Sequence, residues 1–249
     1  MIEPISMSID HFLLRLDFRF YRGRHGLFDF IDDVIDKLDD ETWFSITPSE
    51  IAKMHAKTIC KSPDILLILD SFCGVGGDIL HFPKSTFLVG CDINGERLET
   101  AIQLNKQHGN TRCDFVLTDS VRYIRSCFRP QSFDAVYLSP PWGHTGIRCR
   151  QVQPVFGSRK LSSLSVDGFS AFLRALRLTK NANVAYYLPR GMKESELTLL
   201  AEVTGDSRNF WVQVHESFDP DDETVSKKSK YKVRALTAYF GNLAQDKPA

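Results

Sequence analysis

No stretch of this 249-residue chain is apolar for long enough to span a bilayer, and its start lacks the charged-then-apolar order of a secretory signal. A membrane protein and a secreted one are therefore not expected. Excess charge is missing too: 31 Lys plus Arg face 31 Asp plus Glu, for a formal net charge of zero. Coating nucleic acid without regard to sequence depends on summed phosphate neutralisation, so that class of function is excluded, while a local basic pocket is not. The six cysteines, at 60, 73, 91, 113, 127 and 149, include no pair at the close spacing of a zinc knuckle, and no metal site is expected. A chain of this length with 43% hydrophobic residues needs no disulfide staples, so the cysteines read as small core residues in a reducing, intracellular compartment. No internal repeat is present.

What is there is an alternation. Apolar runs suited to strands stand at 65–70, 86–92, 114–119, 133–139, 183–189, 211–218 and 234–241. Between them lie helix-spaced segments, notably 95–109 and 167–180. Such alternation implies a mostly parallel sheet covered on both faces, and the near-continuous apolar character of the first strands fits burial on both sides. The last two strands are close enough to pair antiparallel across a charged link at 219–234. The expected architecture is α/β: a Rossmann-like, seven-stranded, mostly parallel sheet. A helical extension at 1–60 caps a main domain at 61–249, with helices expected at 25–38 and 47–60. In the second, Thr47 reads as N-cap, Pro48 as the first helical residue and Glu50 as its acidic partner.

After the first strand comes DSFCGVGG, 70–77, a glycine turn that leads into an expected helix. Gly74 and Gly76 let backbone approach a ligand, but Ile79 stands where a dinucleotide site has its third glycine, which demotes that reading. Asp92 ends the second strand, where an acid can accept both hydroxyls of a ribose. Asp70 and Asp119 end the first and third strands. Three acids in the crevice of an open α/β sheet suit a nucleoside with a positive centre, and S-adenosylmethionine (AdoMet) is such a ligand. The bland alternative is that these acids cap the helices that follow.

The fourth strand runs into YLSPPWG, 137–143. Consecutive prolines cannot continue a ladder, so the turn is rigid. It can hold the Ser139 hydroxyl and nearby carbonyls as acceptors for an exocyclic amino group, with Trp142 as a stacking face. A sulfonium methyl is already activated, so alignment supplies most of the catalysis, about 7–11 kcal/mol for a well-placed pair. No catalytic histidine is required, and His144 reads as a loop residue. These residues point to an amino-group methyltransferase.

Together DSFCGVGG, LSPPWG, SVDGF (165–169), YYLPR (186–190) and KLDDETWFSITP (37–48) resemble the catalytic domain of the trimethylguanosine synthase family, from about residue 19 to 241. The resemblance implies the class I AdoMet-dependent fold and methyl transfer to N2 of a 7-methylguanosine RNA cap, giving the 2,7-dimethyl or 2,2,7-trimethyl product. It implies cofactor contacts from Phe28, Ser45, Thr47, Asp70, Gly74, Gly76, Asp92 and Asp119. Ser139, Pro140 and Trp142 would orient the guanine, and Arg190, Arg19 and Asn105 would hold the cap side. It further implies a monomer whose partner is capped RNA, in the nucleus, with the cytoplasm also allowed. After Trp142 the loop HTGIRCR departs from the family pattern, as does Gly191. Two other readings stay open: an amino-methyltransferase on guanine N2 or adenine N6 within RNA, and a cap-binding module without catalysis.

Overall fold

The structure, a computed structural model, describes residues 28–122, 124–142, 160–206, 209–218 and 231–245. Arg19, His144 and most of the 219–234 link lie outside these residues. The strands are β1 (Leu67–Asp70), β2 (Phe87–Asp92), β3 (Cys113–Leu117), β4 (Ala135–Leu138), β5 (Val184–Pro189), β6 (Phe210–Phe218) and β7 (Tyr231–Phe240). They form one seven-stranded sheet in the order β3-β2-β1-β4-β5-β7-β6. The first five pair in parallel, and β7 enters antiparallel between β5 and β6. This is the Rossmann-like, seven-stranded, mostly parallel sheet that the alternation implied. Every residue of β4 and β5 is buried, which is why their sequences show no polar alternation.

The sheet's direction of progression reverses between β1 and β4, so a crevice opens above their carboxyl ends. Helix α3 (Gly95–Gln107) starts on Asn94, whose side chain accepts from Glu96 N and Arg97 N, and it buries Leu98, Ala101 and Leu104. Helix α4 (Gly168–Leu178) starts on Asp167 and buries Phe172, Ala175 and Leu178 against the other face. Both match the spacing read from sequence.

The N-terminal segment departs from expectation. Over 31–37 the chain makes two 3-10 turns, Ile31–Asp33 and Ile35–Lys37, in place of an α-helix. There Ile and Val, stiff at χ1, alternate with Asp, whose carboxylate competes for backbone N–H groups. A short helix α1 (Asp40–Ser45) follows, capped by Asp39 accepting from Thr42 N at 2.6 Å. Helix α2 (Ser49–Ile59) starts later than the Thr47 reading required, with Pro48 at its N-cap and no side-chain cap. Thr47 is instead a buried residue on the wall of the crevice. Phe28, Ile31, Val34, Leu38, Trp43 and Ile46 share a small core with Val75 and Leu104, so this segment leans on the glycine turn and α3.

The helix expected after the glycine turn is also missing. Only a 3-10 turn, Ile79–His81, forms before Phe82 and Pro83 end it. Beneath it lies Gly90 of β2, where a Cβ would come within 2.8 Å of Ile79 Cδ1, 2.9 Å of Phe115 Cδ1 and 3.0 Å of Cys73 Sγ. Gly90→Ala is expected to destabilise the fold by about 1–3 kcal/mol through overpacking. Urea unfolding measures this, and a change below about 0.5 kcal/mol would show that the three side chains yield freely.

Candidate active site

A cavity of about 200 Å³ occupies the crevice. Its floor is the turn after β1. Gly74 has φ +52° with nothing among the described residues within 4 Å of a Cβ position, so the left-handed backbone rather than crowding calls for glycine. Gly76 has φ +83° and is crowded as well: a Cβ would lie 3.2 Å from both Ala101 Cβ and Asn105 Nδ2. Gly76 therefore lets the turn approach α3, while Gly74 and Gly77 line the cavity.

Asp92 ties this turn to α3. Its Oδ2 accepts from Gly74 N at 3.0 Å and its Oδ1 from Asn94 N at 2.8 Å, and each oxygen retains a lone pair for a diol. Burial pushes its carboxyl up, opposed by the Asn94 and Gly74 N–H groups. Beside it Ile93 is 69% exposed and lines the cavity, an apolar ledge for a flat base that the sequence reading passed over. Asp119 serves both readings made of it. Its Oδ1 accepts from Val121 N and Arg122 N at 2.9 Å, as a turn cap does, and the residue also lines the cavity.

Asp70 is not on the wall. It is 1% exposed, its Oδ1 accepts from Phe72 N at 3.2 Å, and its Oδ2 has no partner among the described residues. Burial, and then the carboxylate of Asp78, push its carboxyl well above the usual range. Two of the three strand-end acids thus face the crevice, and the third supports the turn from below. The wall has a further acid that the sequence reading did not single out, Asp78, directly after the glycines.

The N-terminal segment closes one side with Ser45 and Thr47. At that rim Arg97 of α3 donates to Asp39 at 2.6 Å and to Glu41 at 2.7 Å, binding α1 to the sheet domain. Phe28 is buried behind the glycine turn, its ring edge 3.6 Å from a Cβ position on Gly77, and it does not reach the cavity. Asn105 is corrected as a cap-side residue. It lies on the buried face of α3, donating to Ala101 O at 2.9 Å and accepting from Asn110 Nδ2 at 3.0 Å. A helical position that packs the glycine turn leaves it nothing to offer a ligand.

The opposite side is the turn after β4. Ser139 lines the cavity and donates from Oγ to Phe72 O at 3.3 Å, and Pro141 lines it too. Pro140 is buried behind them. Pro141 O accepts from Ser165 N at 3.1 Å, which brings Val166 onto the same wall. Trp142 stands just beyond. Its Nε1 donates to Tyr187 O at 3.4 Å, and the two ring centroids are 4.9 Å apart at 52°. Arg190 follows the end of β5, half-buried, and donates to Val233 O at 3.2 Å.

A diol acceptor, an apolar ledge, a turn that brings the backbone of Gly74 and Gly77 to the cavity and a wall rich in carboxylate fit a nucleoside with a cationic tail, as AdoMet requires. A family model described as RNA cap guanine-N2 methyltransferase matches residues 65–242. Trimethylguanosine synthase of Schizosaccharomyces pombe is 27% identical over 189 residues, 74% of this chain and 75% of that protein. Trimethylguanosine synthase of Saccharomyces cerevisiae is 28% identical over 191 residues, 75% of this chain but 58% of that longer protein. A solved structure, the N-terminal domain of EvdMO1 with SAH bound, superposes with TM-score 0.49 and 15% identity, covering 82% of this chain and 85% of that one.

Proposed function

The chain belongs to the RNA cap guanine-N2 methyltransferase family, and from that premise we propose which of its residues carry the reaction. The enzyme is AdoMet-dependent and acts on the exocyclic N2 of a cap guanine. Bound AdoMet supplies an activated methyl group. Asp92 takes the ribose hydroxyls, Ile93 the adenine, and the backbone of Gly74 and Gly77 the linking atoms. Ser45 and Thr47 close over them from the segment 1–60, which acts as a cap on residues 61–249.

Ser139 and the carbonyls of the Pro140-Pro141 turn accept from the guanine amino group and fix the direction of its lone pair. The exocyclic amine becomes acidic as it gains the methyl group, so no general base is needed. Trp142 stacks on the guanine, which is cationic when methylated at N7, and Arg190 meets the cap phosphates. A single observation carries this assignment: Ser139 and Pro141 share one cavity with Asp92, so methyl donor and acceptor can meet there. The substrate proposed is 7-methylguanosine-capped RNA, gaining one or two methyl groups from a monomeric enzyme in the nucleus. Among the described residues no helix is long and apolar enough to cross a membrane.

Mass spectrometry tests the choice of cap. Incubated with AdoMet, 7-methyl-GDP is expected to gain methyl mass about 2- to 30-fold faster than GDP, because stacking on indole favours the cationic base by about 0.5–2 kcal/mol. Equal turnover of both would refute the 7-methyl requirement. Transfer to neither, with AdoMet still bound, would favour a target inside RNA or a binding module.

A further inference from the structure

A buried imidazole joins the cofactor wall to the strand that carries Ser139. His55, on the inner face of α2, has no exposed surface. Its Nδ1 lies 3.1 Å from Asp78 Oδ1 and 3.0 Å from the Tyr137 hydroxyl, and its Nε2 lies 2.8 Å from Thr237 Oγ1. One ring therefore ties the turn after β1, strand β4 and strand β7 to α2.

Proton positions follow from the neighbours. His215 Nε2 reaches the same Thr237 oxygen at 2.7 Å, while His215 Nδ1 has no partner among the described residues. Burial, and then His55, push the His215 imidazole down to about 3, so the ring is neutral. A bare acceptor is easier to tolerate in a core than an orphaned N–H, so His215 carries its proton on Nε2 and donates it to Thr237. The Thr237 hydroxyl then donates to His55 Nε2, which leaves the His55 proton on Nδ1, shared between Asp78 Oδ1 and the Tyr137 hydroxyl oxygen.

The sheet order says which end of the cofactor this group meets. His55 is bonded to residues of β4 and β7, on the side of β1 opposite β2 and β3. Asp92 and Asp119 lie towards β2 and β3 and take the nucleoside. The amino-acid tail is therefore directed to the part of the wall built from Thr47, Gly77 and Asp78. Asp78 is 6% exposed yet lines the cavity, whereas Asp70 sits behind it.

We propose that Asp78 accepts from the α-ammonium group of the bound cofactor, and that His55 is a positioning residue that fixes the direction of the Asp78 carboxylate by donating to its Oδ1. Through Tyr137, two residues before Ser139, the same ring keeps the cofactor wall and the Ser139 turn in register. This rests on the AdoMet reading above.

Titration calorimetry on the full chain with two ligands tests it. S-adenosylhomocysteine carries the ammonium group, and 5′-methylthioadenosine lacks the whole amino-acid tail. Asp78→Asn, isosteric but uncharged, is expected to weaken S-adenosylhomocysteine at least about tenfold, the size of one charge-assisted bond, and methylthioadenosine less than about twofold. His55→Leu should show the same split. His55→Asn, whose amide N–H can replace Nδ1–H, should stay within about threefold of the unsubstituted chain. Equal weakening of both ligands by Asp78→Asn, or no weakening, would overturn the ammonium assignment, and this variant remains informative where His55→Leu does not fold. Equal losses of S-adenosylhomocysteine binding in the Asn and Leu variants of His55 would overturn the positioning role. An unsubstituted chain that binds neither ligand would overturn the cofactor reading, and this proposal with it.

Discussion

Asp92→Ala is expected to lower affinity for S-adenosylhomocysteine by about 10²–10⁴-fold while the chain stays folded. Two hydroxyls donating to one carboxylate are two charge-assisted bonds, each about 1.5–3 kcal/mol. The carboxylate also receives Gly74 N and Asn94 N, so its removal loosens the glycine turn where it meets the ligand. Asp92→Asn keeps one acceptor oxygen and should fall between the two. Burial raises the Asp92 carboxyl, so protonation, and with it loss of ribose binding, should set in at a higher pH than for an exposed aspartate. Affinity should therefore fall as pH is lowered towards the carboxylate range, and Asp92→Asn should flatten that fall. Calorimetry across pH reads both effects. A loss of less than about threefold in Asp92→Ala would remove the residue from the site and leave the crevice without its ribose anchor.

The parts of this molecule legible in sequence are those decided locally or by burial on two faces. Strands β1, β2, β4 and β5 are unbroken apolar runs because the sheet is covered on both sides. Asp92 and Ser139 were legible because each ends such a run at the crevice. What was not legible depends on which way a side chain turns. Asp70 and Asp92 occupy equivalent ends of neighbouring strands, yet Asp92 lines the cavity and Asp70 is sealed beneath the turn. Asn105 has the chemistry of a ligand contact but lies on the buried stripe of α3. Ile93 was visible only as an apolar residue placed after its strand had ended. The Arg97 contacts with Asp39 and Glu41, and the contacts of His55 with Asp78, Tyr137 and Thr237, join residues 23 to 182 positions apart in sequence, and no local pattern announces them.

Trp142→Ala is expected to remove methyl transfer to 7-methyl-GDP, by about 10²-fold or more in kcat/KM, with S-adenosylhomocysteine affinity within about twofold of the unsubstituted chain. Base–aromatic stacking contributes about 1–3 kcal/mol, and the cationic guanine adds about 0.5–2 kcal/mol. These sum to about 1.5–5 kcal/mol before any loss of alignment at N2. The indole can act as a platform because it is fixed: Nε1 is held by Tyr187 O, and the Tyr187 ring supports it at 4.9 Å. The same packing means that Trp142 also contacts both halves of the core, so the alanine variant alone does not separate stacking from structure. Trp142→Phe does. It keeps an aromatic face but loses the indole N–H, and should retain activity within about tenfold, with a weaker preference for the 7-methylated base. Loss of cofactor binding in both variants would make the tryptophan a structural prop. Activity lost in Ala, largely kept in Phe, with cofactor affinity unchanged in both, places the guanine on the Trp142 ring beside Ser139, where its amino group meets the methyl donor.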